Sequence, residues 1–158
     1  MNIFEFARAQ EIRAEKTYRE CAQCATAVEM QKIFNMLAMA EKRHLETILE
    51  MEKGKVVQVA IADIRSDAKD LLQKLVPDKG ALKSSASKLE VYLEARRQEE
   101  AAELFYRESA KTTTDPMQRD ILNGLAAEEN NHYQILNWLI DLVQYPDSTI
   151  ENAEFYKP

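Results

Sequence analysis

Glu-x-x-His occurs twice in this chain, at Glu41–His44 and Glu129–His132, and those histidines are the only two in the sequence. On a helix, residues three apart share a face, so each motif sets one carboxylate beside one imidazole. Two further acids, Glu11 and Glu99, belong to the same pattern. Adding 88 to a residue number carries Glu11 onto Glu99, Glu41 onto Glu129 and His44 onto His132. Four carboxylates and two imidazoles form a hard-to-borderline donor set. It suits a pair of iron or manganese ions better than a thiolate-rich zinc site.

The elements that must position these groups are helical. Gly and Pro number only 3 and 4 in 158 residues, too few for a turn-rich β fold, while good helix formers fill long stretches. The pattern predicts four long helices, over about 3–24, 28–53, 87–111 and 116–144. Gly54 is the expected stop of the second, and Asp115-Pro116 an N-cap with proline at the first helical position of the fourth. The fold expected is all-α: a four-helix bundle of two duplicated antiparallel hairpins over residues 1–145. A crossover over 54–86 joins helices two and three and includes an apolar run, Val56–Ile61, and a short helix over 63–76. Residues 146–158 form a polar and aromatic tail.

The offset of 88 extends beyond the acids. Thr17–Ala22, Thr-Tyr-Arg-Glu-Cys-Ala, falls on Phe105–Ala110, Phe-Tyr-Arg-Glu-Ser-Ala, and Leu37-Ala38 falls on Leu125-Ala126. Every long helix also carries a seam with steps of 3 and 4. The seams run through Ala7, Glu11, Ala14 and Tyr18; Leu37, Glu41, His44 and Ile48; Ala95, Glu99, Ala102 and Tyr106; and Leu125, Glu129, His132 and Leu136. A glutamate therefore occupies a core position in each. Burying one carboxylate without a partner costs several kcal/mol or forces its pKa up. Four such acids need a common cause, and two divalent cations, about +4 in all, supply one.

Loop geometry tests whether the groups can meet. Residues at one level of an antiparallel hairpin are equidistant from its turn. The midpoint of Glu11 and Glu41 is residue 26, and that of Glu99 and Glu129 is residue 114, each inside a predicted turn. All four acids therefore lie about 15 residues, or roughly 22 Å at 1.5 Å per residue, from their turns.

The rest of the sequence mainly excludes. A net charge of −6 and the lack of a Lys/Arg cluster argue against a nucleic-acid partner. No apolar run reaches membrane-spanning length, and the N-terminus has no secretory pattern, so no membrane and a cytoplasmic location are expected. Cys21 and Cys24 sit inside a helical pattern and read as packing residues. Glu15, Glu20, Glu100 and Glu128 lie off the seams and read as surface charges.

A glutamate from each of two helices plus Glu-x-x-His from each of the other two is the di-iron or di-manganese carboxylate arrangement. On these residues the sequence resembles the ferritin-like superfamily and, within it, the rubrerythrins. The resemblance covers residues 2–53 and 89–142. It implies a non-haem site of two iron ions, with manganese or a mixed pair as the alternative, reacting with hydrogen peroxide or dioxygen. Glu41 and Glu99, or their repeat mates, would bridge the metals, and His44 and His132 would each cap one. Tyr18 and Tyr106 could hydrogen-bond ligand carboxylates, or be core tyrosines with satisfied hydroxyls. Ala14 and Ala102 would leave room for a small oxidant.

The chain departs from rubrerythrins proper in two ways. It has no four-cysteine rubredoxin module, so electrons would come from a separate donor such as a rubredoxin-like protein. The extra carboxylate expected three residues after the third-helix ligand is replaced by Ala102, with Glu103 as a possible substitute. A homo-oligomer, a dimer, is expected. The alternative function is an iron-binding or ferroxidase module without peroxidase turnover.

Overall fold

A computed structural model describes residues 2–55 and 62–147, so the Val56–Ile61 run and the tail beyond residue 147 lie outside the described residues. Among the described residues six α-helices follow one another: α1 (Ile3–Cys24), α2 (Val28–Glu52), α3 (Arg65–Leu75), α4 (Lys79–Ser84), α5 (Leu89–Thr112) and α6 (Pro116–Gln144), with a 3₁₀ turn, Ser85–Lys88, leading into α5. Among the described residues there is no strand.

The helix ends follow from local chemistry. Asn2 accepts the Glu5 N–H at the start of α1, and Asp115 accepts the Met117 N–H at the start of α6, ahead of Pro116. Each satisfies one of the donors a helix N-terminus leaves open. At the end of α2, Gly54 takes φ 74°. The Gly54 N–H bonds the Met51 carbonyl and the Lys55 N–H bonds that of Glu50, the paired bonds of a Schellman cap that glycine's freedom at positive φ permits. Among its described residues, the region expected to cross over with one short helix holds two, α3 and α4. Asp78 follows Pro77 and caps α4 by accepting the Ala81 N–H at 3.1 Å.

The three residues between α1 and α2, and between α5 and α6, force each helix to turn back along its predecessor. Arg8 pairs with Glu52 across the first pair, and Asn130 donates to Glu103 across the second. The helix pair α1 and α2 packs on α5 and α6, and α3 lies against α2 and α6. Among the described residues no helix is long and apolar enough to cross a membrane.

The apolar interior is divided in two. One cluster takes Tyr18 and Cys21, Phe34 and Leu37, Tyr92 and Ala95, and Leu136 and Leu139 from the four long helices, and is closed by Leu72 and Leu75 of α3 and Leu82 of α4. The other takes Ala7, Ile48 and Met51, Ala102 and Tyr106, and Leu122 and Leu125. Each fully buried leucine contributes about 1.5–3 kcal/mol. In each long helix the polar seam residues, six in all, fall between the two clusters, so apolar layers clamp a polar layer from both sides.

Candidate metal centre

Glu11 of α1, Glu41 and His44 of α2, Glu99 of α5, and Glu129 and His132 of α6 meet in that layer, none more than 3% exposed. His44 Nδ1 lies 2.9 Å from Glu129 Oε1, and His132 Nδ1 lies 2.9 Å from Glu41 Oε1. The two imidazoles stack with centroids 5.5 Å apart and planes 10° from parallel. The Tyr18 hydroxyl donates to Glu99, and the Tyr106 hydroxyl to Glu11. Each of these contacts has a mate at the 88-residue offset, so the site has a pseudo-twofold character. Both tyrosines reach across to the acid of the other helix pair rather than to the glutamate on their own helix.

Ligand-type atoms converge into two groups, each within 4.8 Å: Glu11, Glu41, His44 and Glu129 in one, and Glu41, Glu99, Glu129 and His132 in the other. Glu41 and Glu129 belong to both. One carboxylate oxygen on each of Glu11, Glu41 and Glu99 is buried with no hydrogen-bond partner. Buried acceptors without donors are costly, and hard oxygen donors gathered around imidazole nitrogen meet the needs of a divalent cation. The donor set fits divalent metal.

Electrostatics within the layer show that the carboxylates crowd one another and draw in positive charge. Burial, and then the neighbouring carboxylates, raise Glu41 and Glu129 well above the usual carboxylate range. Burial also opposes ionisation of Glu11 and Glu99. Hydrogen bonds with neighbouring carboxyl groups and the nearby imidazoles outweigh it, so both stay below their ordinary value. For the histidines, burial acts against the charged form, but the charge of Glu129 on His44 and of Glu41 on His132 raises both well above 6.5. The acids and imidazoles thus compete for protons that metal ions would displace. Burial and the carboxylates push both tyrosines up as well, which keeps their hydroxyls as donors.

Removing one of those donors orphans a buried carboxylate oxygen. Tyr18→Phe is expected to lower the stability of the metal-free protein by about 1–3 kcal/mol. Tyr106→Phe, its mate, should do the same within error. Urea midpoints measure both, and unchanged midpoints would show that the hydroxyls contribute nothing.

A small cavity reaches the layer between α1 and α5. It is lined by Gln10, Ala14 and Tyr18 on one side and Ala95, Gln98 and Ala102 on the other, and it runs from exposed Arg13 and Ala101 to Glu11, Glu41, Glu99 and Glu129. The small side chains at 14 and 102 leave this space. Glu103 does not enter it. Its carboxylate is held by Arg107 and Asn130, each at 3.0 Å, so it takes no part in either group of ligand-type atoms.

Two residues correct the sequence reading. Glu128, expected on the surface, is 3% exposed, with Oε2 3.1 Å from His44 Nε2. The signal was a second buried stripe on α6, Ile121, Gly124, Glu128, Asn131 and Ile135, beside the seam at the same helical spacing. Of the two cysteines, Cys21 is a packing residue whose thiol burial pushes up to about 11, whereas Cys24 is exposed.

Residues 2–140 match the model of a protein family described as Rubrerythrin. No curated protein and no solved structure matches the chain.

Proposed function

We propose, for a chain that belongs to the rubrerythrin family, that the buried layer holds two iron ions and that the protein reduces hydrogen peroxide with electrons from a separate donor. The observation that carries this reading is the overlap of the two ligand groups on Glu41 and Glu129. These two acids would bridge the ions. Glu11 and His44 would complete one position, and Glu99 and His132 the other. Glu99 stands in one group alone, so the overlap supports Glu41 with its repeat mate Glu129 as the bridging pair, rather than Glu41 with Glu99.

When bound, two ferrous ions supply the two electrons needed to convert one peroxide and two protons into two waters. The chain's own residues do the rest. Tyr18 and Tyr106 hold Glu99 and Glu11 in place through their hydroxyls. The apolar clusters on either side exclude water, and the cavity past Ala14 and Ala102 admits a molecule of peroxide size. Contacts that pair off at the 88-residue interval support a bundle of two duplicated hairpins joined by a long crossover. The donor would be a rubredoxin-like protein, the location the cytoplasm and the assembly a homodimer.

One observation favours a second reading. Ala102 stands where rubrerythrins proper carry another carboxylate, and Glu103 is tied to Arg107 and Asn130. An iron-binding or ferroxidase module without peroxidase turnover would need no acid there. Anaerobic titration should load two Fe(II) per chain, and one peroxide should then oxidise both within seconds. Sluggish reaction with peroxide, faster oxidation by dioxygen and uptake of many irons per chain would decide for the second reading.

A further inference from the structure

The contacts of the centre repeat at the 88-residue interval with one exception. His44 Nε2 has the Glu128 carboxylate 3.1 Å away, whereas among the described residues His132 contacts carboxylates only through Nδ1. Position 40, the mate of 128, is a buried alanine, which offers His132 Nε2 no acceptor. Neither Nε2 makes a well-aligned hydrogen bond, so the difference lies in which acceptor is within reach. Glu128 is held from its other end, where Oε1 accepts the Ala62 N–H at 3.2 Å. Its carboxylate is thereby pinned between the crossover backbone and the imidazole, and it belongs to neither ligand group.

A buried carboxylate that binds no cation itself and breaks the symmetry of the site needs a reason. An imidazole that binds a cation through Nδ1 is neutral and carries its proton on Nε2. An acceptor for that proton fixes the ring's tautomer and orientation and raises its basicity, and losing such a partner typically costs 10–100-fold in metal affinity. Only His44 has one.

We propose that Glu128 is a positioning residue for His44 and makes the two metal positions unequal, the one capped by His44 holding a divalent cation more tightly than the one capped by His132. The inference rests on the two-metal reading above. Its test is cobalt(II) titration of the intact chain, followed by the visible d–d bands and by competition with a chelator. Wild type should bind two Co(II) in steps separated by about 10–100-fold. Glu128→Ala should weaken the tighter step by that factor and merge the two. Glu128→Gln, nearly isosteric and still an acceptor, should fall between. In a His132→Ala background Glu128→Ala should still weaken the remaining ion, and in a His44→Ala background it should change nothing. Two equal steps in wild type, or a tighter step indifferent to both Glu128 substitutions, would overturn the inference while leaving the two-metal reading intact. A chain that binds no cobalt at all would overturn both.

Discussion

Glu129→Ala is expected to empty both metal positions, whereas Glu11→Ala empties one. Glu129 belongs to both ligand groups and Glu11 to one, so the lost charge is felt by two ions in the first case and by one in the second. Residues that only support ligands already change affinity 10–100-fold, and loss of a ligand itself should exceed about 100-fold. Glu41→Ala should behave like Glu129→Ala, and Glu99→Ala like Glu11→Ala, because each pair is related by the 88-residue interval. Emission spectroscopy on protein loaded with Fe(II) anaerobically and then desalted should read near two ions per chain for wild type, one for the Glu11 and Glu99 variants, and none for the Glu41 and Glu129 variants. Glu41→Ala and Glu129→Ala remove acids whose ionisation burial and the neighbouring carboxylates oppose, and should not unfold the metal-free protein. Glu11→Ala and Glu99→Ala instead leave the Tyr106 and Tyr18 hydroxyls without their acceptors and should cost it about 1–3 kcal/mol. Equal losses from Glu11→Ala and Glu129→Ala would refute the shared-ligand assignment.

The six polar seam residues were legible because two independent regularities converge on them. Each occupies a position that helical spacing reserves for apolar side chains, and each has a mate 88 residues away. The helix ends at Gly54 and Asp115 were equally plain, because a positive φ and an N-cap leave marks in the residue type itself. What escaped the sequence depends on tertiary choice. Asp78 caps α4 just after Pro77, but that helix has only six residues, too few for a period to emerge. Tyr18 and Tyr106 share a face with Glu11 and Glu99 on their own helices, and their spacing says nothing about which helix pair the hydroxyl reaches. Glu128 stands next to Glu129 in sequence and off the seam. Its burial follows from α6 being covered on a wide arc, Ile121 to Val143, by α2, α3 and α5 together.

Metal should raise the melting temperature by on the order of 10–20 °C near pH 7.5, and by much less near pH 5.5. A ligand that binds only the folded state at about 100 times its Kd adds roughly 2.7 kcal/mol per site. Two sites therefore add roughly 5 kcal/mol, and a chain of this size moves about 2–4 °C per kcal/mol. The pH dependence follows from the direction of each shift. Burial and neighbouring charges raise Glu41 and Glu129 above 4.5, and the surrounding carboxylates raise His44 and His132 above 6.5 against the opposing effect of burial. In the window above those ordinary values the metal-free fold binds more protons than the unfolded chain, so its stability falls as pH rises. Glu11 and Glu99 are shifted downward, and they contribute stability above 4.5 that is lost as pH falls through their folded values. The metal-free protein should therefore be most stable in mild acid. Cations replace the protons held by the four raised groups, so apparent metal affinity, and with it the thermal shift, grows with pH. Thermal unfolding with and without Mn(II), followed by circular dichroism at pH 5.5, 6.5 and 7.5, separates the two trends. A metal-induced shift that stays constant across that range would mean that the ions and the protons do not share these side chains.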